Sequence, residues 1–82
     1  MKVNIHEFAK RFRKEYSFLY DNDDNVAGYD EAVDAFDEYL KKDIGGFKKF
    51  VGEFVVFRGY DPVSSDREAA AFMFALDSMG CL

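Results

Sequence analysis

Apolar residues recur along this chain at spacings of three and four, and that period belongs to helices packed on one face. In the first segment Ile5, Phe8, Ala9, Phe12, Tyr16, Leu19 and Tyr20 share a face, while Lys10 and Lys14 lie opposite. Asn4 stands at the N-cap position with Glu7 three residues on, and Val3 is placed to staple against Phe8. A helix is therefore predicted from about residue 5 to residue 20. The run Asp21, Asn22, Asp23, Asp24, Asn25 ends it, because these short polar side chains bond to nearby backbone and compete with helix.

A second helix is predicted over about Tyr29 to Lys41, burying Tyr29, Val33, Phe36 and Leu40 with Ala32 and Tyr39 beside them. Lys41 and Lys42 suit its C-terminus, and Gly45-Gly46 stop it. Phe47, Phe50, Val51, Phe54 and Val55 fit the same template and predict a third helix to about Arg58. The competing reading of residues 47–58 is a small hairpin, since Gly52 costs a helix about 1 kcal/mol relative to Ala. The run Phe54-Val55-Val56-Phe57 also has strand character, and Gly52-Glu53 would form its turn. Gly59, Tyr60, Asp61 and Pro62 form a connector, and Ser65 with Glu68 opens a last helix. That helix is apolar on all sides from Ala69 to Leu76, which places it at the centre of the domain or under a dimer interface. The fold class expected is all-α, a compact single-domain bundle of about four short helices over residues 1–82, with α+β as the alternative.

The chain has 82 residues, near the size at which one hydrophobic core only just suffices. Ten Phe and five Tyr answer that limit, and one Pro with six Gly excludes a low-complexity chain. Cys81 is the single cysteine, so no disulfide framework exists and a reducing cytoplasm is the expected compartment. No signal-peptide pattern opens the chain, and no apolar run is long enough to span a membrane.

Charge changes the picture most. Residues 21–43 hold nine of the sixteen acids against two bases, whereas the first twenty residues hold five bases against two acids. On a helical wheel Asp30, Glu31, Asp34, Asp37 and Glu38 fall within an arc of about 120°, opposite the apolar face. They form an acidic ridge of about 12 Å, with one charge per roughly 2.4 Å against about 1.7 Å along duplex DNA. Asp21, Asp23 and Asp24 extend it through the preceding turn.

Catalytic chemistry finds little support. His6 is the only histidine and sits in an exposed first turn without a nucleophile beside it. The carboxylate pairs Asp30/Asp34 and Asp34/Glu38 face solvent, where nothing raises a pKa for general acid work. Asp21, Asp23 and Asn25 match the first ligand positions of a calcium loop, which then fails at Val26 and Ala32. Gly45-Gly46 lacks the Lys-Ser/Thr ending of a phosphate loop. No enzyme activity, cofactor or metal is expected.

The leading expectation is a small acidic protein-binding module that sets Asp21, Asp23, Asp24, Asp30, Glu31, Asp34, Asp37 and Glu38 against a basic surface on another protein. Its concrete form is an inhibitor of a nucleic-acid-handling enzyme, a nuclease for example. In size and charge alone the chain is similar to small acidic anti-defence proteins of phages and mobile elements, the anti-CRISPR type among them. A structural homodimer joined through Phe54 to Phe57 or Phe72 to Met79 is the first alternative. The second is nucleic-acid binding by Lys10, Arg11, Arg13 and Lys14 with Phe18, which the net charge of −5 opposes.

Overall fold

The capping sequences do at the backbone what their spacing predicts. In the computed structural model, which describes residues 1–82, Asn4 Oδ1 accepts the Glu7 N–H at 3.0 Å and starts α1, Ile5–Asp21. The Glu7 side chain does not close the box. It pairs instead with Arg11 at 3.4 Å, one turn along. Asn22 ends α1 by donating its side-chain amide to the Phe18 carbonyl, and Asp23 and Asp24 then take left-handed φ values of 51° and 59°. Asp and Asn tolerate that region best after glycine, which is the backbone reason for the polar run.

The second helix, α2, spans Tyr29–Lys42. It is followed by a single 3-10 turn, Ile44–Gly46, and then by α3, Phe47–Arg58. The hairpin alternative for residues 47–58 is overturned, because no strand is present. Gly46 at φ 80° supplies the bend before α3, and the Asp43 carboxylate caps the new helix by accepting the Lys48 N–H at 2.9 Å. Ser65 accepts the Glu68 N–H at 3.1 Å to start α4, Asp66–Ser78.

Four helices thus form an all-α bundle, with α4 in the middle. Ala69 to Met73, Ala75 and Leu76 are buried, so the all-round apolar run is a central helix as expected. Helices α1 and α2 pack closely along it, whereas α3 approaches the others less closely. Phenylalanine rings fill that wider space. The Phe72 ring lies 4.7 Å from Phe8, 5.4 Å from Phe36 and Phe47, 5.6 Å from Phe50 and 5.8 Å from Phe54, mostly edge to face. Every helix therefore meets at one ring, and edge-to-face pairs each add about 0.5–1.5 kcal/mol beyond their burial.

Two predicted faces are rotated slightly. On α2 the fully buried residues are Ala32 and Phe36, while Tyr29, Val33 and Leu40 are only half-buried. A small residue faces α4 because the helices come close there, and the larger ones lie at the edge of the contact. On α1, Tyr20 is 62% exposed and does not join the core; the Arg67 guanidinium covers its ring at 4.9 Å.

Candidate functional site

The acidic ridge is real as a surface. Asp30, Glu31, Asp34, Asp37 and Glu38 are all exposed on α2, with Asp34 and Asp37 at the edge that meets the start of α4. Their charges are unequal in effect. Asp37 is bound by Lys41 at 2.9 Å and Glu38 by Lys42 at 2.8 Å, each one turn further along the helix. The Lys42 hydrogen bond holds the Glu38 carboxyl below its ordinary value, and the bond to Asp37 holds Lys41 above its own. Asp30, Glu31 and Asp34 have no ion-pair partner. The uncompensated part of the ridge is thus the N-terminal half of α2, about 6 Å long, which shortens any likeness to a phosphate backbone.

The preceding turn contributes less than its composition suggests. Asp21 is the last residue of α1 and is exposed, as is Asp23. Asp24 is committed to the fold: its two carboxylate oxygens accept Arg67 Nε at 2.7 Å and Nη2 at 2.9 Å. This bidentate bond ties the α1–α2 turn to the start of α4 across 43 positions of sequence, and it holds the Arg67 guanidinium above its usual range. Asp24 therefore leaves the set of free carboxylates.

Another acid takes its place. Asp66, in the first turn of α4, borders a groove of about 250 Å³ with Asp34 and Asp37 on the α2 side and half-buried Val33 and Val63 along it. Its presence is felt at Tyr29, whose phenol is raised above 10.0, first by burial and then by the charges of Asp24 and Asp66. Sequence reasoning missed Asp66 because it lies 32 positions from Asp34, on a helix known only for its core. Its one sequence signal is an acidic residue in a helix first turn, which the helix dipole favours on its own account.

A groove edged by Asp34, Asp37 and Asp66, with Val33 and Val63 among its lining, has the chemistry to take a lysine or arginine side chain. Such a side chain would lay its alkyl stem along Val33 and Val63 with its cationic head near Asp34, Asp37 or Asp66. No group of three or more His, Cys, Asp and Glu side chains is arranged to hold a metal ion. His6 stands edge-on to Phe57 with ring centroids 4.9 Å apart.

The basic face of α1 is partly used internally. Lys10, Arg13 and Lys14 are exposed with Phe18, but Arg11 is half-buried and donates to Ser78 at 3.3 Å as well as pairing with Glu7. Lys10, Arg13 and Lys14 are the cations of this face without an internal ion-pair partner. Of the two apolar segments offered for dimer contact, Phe72 is completely buried, whereas Val56 is 80% exposed.

The fold and this surface define an all-α bundle of four helices with an acidic groove beside its second helix. Comparison with protein-family models, with curated proteins and with solved structures finds no match to the chain. No helix is long and apolar enough to cross a membrane.

Proposed function

We propose that this chain is a cytoplasmic, non-enzymatic binding module whose α2 ridge and adjoining groove receive a basic surface of another protein. The observation that supports this most is the meeting of Asp34 and Asp66, from different helices, at one groove that Val33 and Val63 also line, beside unpaired Asp30 and Glu31. In its finer form the partner is a nucleic-acid-handling enzyme, and the ridge occupies the place of a phosphate backbone as an inhibitor would. Charge spacing near that of a duplex supports the finer form over the first turn alone, where Asp30, Glu31 and Asp34 have no lysine partner.

Affinity capture on the immobilised protein over a salt series tests both forms, with duplex DNA added as competitor in a parallel arm. Captured proteins are expected to elute as salt rises, to be displaced by DNA, and to be lost on D34K/D37K/E38K, whose folding is checked by circular dichroism. A folded triple variant that captures the same proteins overturns the ridge as the binding surface. Capture that ignores DNA removes the nucleic-acid-handling enzyme and leaves a basic protein partner.

A further inference from the structure

The outward face of α3 does not look like that of a helix that faces only water. Opposite the buried Phe50 and Phe54 lie Gly52 and Val56, about 40° apart on the wheel and one turn apart along the axis. Val56 is 80% exposed and Phe57 41% exposed; both border a shallow apolar depression with Ile5 and Gly52. A Cβ added at Gly52 would meet nothing within 4 Å, and its φ is an ordinary helical one. Neither packing nor backbone geometry within the chain therefore calls for glycine at a position where glycine weakens the helix.

Charge at the border of this face is self-complementary. Lys48 lies on one side of the Gly52–Val56 line, with Lys49 and Glu53 on the other, all exposed. Lys49 and Glu53 form no ion pair within the chain, and Lys preceding Glu by four positions is the weaker order for pairing on one helix. An antiparallel two-fold crossing centred on Gly52 brings them together. It keeps the Lys49/Glu53 side of both helices on the same side of the contact and offsets Lys49 from the partner copy's Glu53 by about 3 Å along the axis. Val56 then lies over the alkyl stems of the partner copy's Lys48 and Lys49, and the two glycines let the backbones approach closely.

We infer that α3 is the contact surface of a homodimer, in which two copies cross antiparallel at Gly52 with reciprocal Lys49–Glu53 pairs. The acidic ridge of α2 is on another helix, so the dimer does not depend on it. One helix face buries less than the roughly 800 Å² per partner of a standard interface, so the association is of the weak class.

Sedimentation equilibrium up to about 1 mM chain tests the proposal. The wild type is expected to shift from monomer to dimer across that range. Gly52→Ala carries the sharpest test, because its two effects have opposite sign: the thermal midpoint of the dilute monomer rises by about 4–8 °C while dimerisation weakens. Lys49→Glu and Glu53→Lys should each weaken dimerisation about tenfold, and K49E/E53K should restore it. Any of three results overturns the proposal. These are a wild type that stays monomeric at about 1 mM, a Gly52→Ala variant that gains stability with dimerisation unchanged, and a charge swap that fails to restore it.

Discussion

Helices α2 and α3 meet the same Phe72 ring from the inside and present opposite chemistry on the outside. Phe36 anchors α2, and Phe47, Phe50 and Phe54 anchor α3. The outer face of α2 carries five carboxylates, whereas that of α3 carries Gly52 and Val56 between lysines. The difference separates what folding requires from what it leaves open. A charged outer face follows from solvation alone, so the α2 ridge gains functional meaning only from the groove it shares with Asp66. An exposed apolar line with a glycine that no intrachain contact uses does not follow from solvation.

The largest effect available is loss of the anchor common to both helices. Phe72→Ala should lower stability by about 3–5 kcal/mol, measured by urea unfolding. Native domains of this length hold only about 4–12 kcal/mol in total, so both outer faces would be lost together as the chain approaches unfolding. A loss under about 1 kcal/mol would show that the ring cluster is not what joins them.

The next experiment separates the helices. Arg58 of α3 is 8% exposed in its side chain and donates to Glu68 of α4 at 2.9 Å, and Glu68 is 17% exposed. Arg58 also donates to the Asp61 carbonyl and lies over the Phe54 and Tyr60 rings at 5.1 and 4.7 Å. Glu68→Ala leaves that guanidinium without its carboxylate, at a cost of about 3 kcal/mol, the low end for a buried pair. R58M/E68Q removes the buried charge along with its partner and should recover most of the loss. Hydrogen exchange should show α3 losing protection in Glu68→Ala while α2, which has no such tie to α4, keeps it. Equal loss in both helices would mean that the pair does not distinguish them.

Periodicity disclosed the helices and the central place of α4, because a run apolar on every side can be satisfied only by neighbours on every side. It also disclosed the outward ridge of α2. It did not disclose which acids remain free. Asp24 meets Arg67 across 43 positions and Asp66 meets the α2 groove from another helix, and a pattern within one helix states a face without naming what lies across from it. The Lys41 and Lys42 pairs are visible as i, i+4 spacing, and a count of acids overstates the ridge by the two carboxylates they compensate. Phe47 to Phe57 had the composition of a strand, and the helix prevailed because Phe47, Phe50 and Phe54 reach the Phe72 cluster from one side only at helical spacing.

A smaller effect compares the two outer faces at equal net charge. K41Q/K42Q and K48Q/K49Q each change the chain from −5 to −7, two positive charges fewer. The first pair uncovers Asp37 and Glu38 beside the free carboxylates, while the second removes charge from a face that holds no ridge. On an anion-exchange column K41Q/K42Q should therefore elute at higher salt than K48Q/K49Q, because short-range binding follows local density rather than the total. Identical elution would mean that the ridge does not act as a local field.

The smallest effect reports on that field from inside the protein. Burial, then Asp24 and Asp66, raise the Tyr29 phenol above 10.0, so the native state keeps this proton at a pH where the unfolded chain has begun to lose it. The stability Tyr29 contributes is thus fully present below about pH 10 and is lost as pH rises through its higher native value. Ultraviolet titration of phenolate should lose a raised component in Tyr29→Phe. Asp66→Asn takes away one of the charges that oppose ionisation and should move that component to lower pH. Lys48→Gln, on the face without a ridge, should leave it in place. A titration that Asp66→Asn does not move would show that the Asp66 charge does not reach the Tyr29 phenol, and the field felt there would reduce to the acids of the α1–α2 turn and α2 alone.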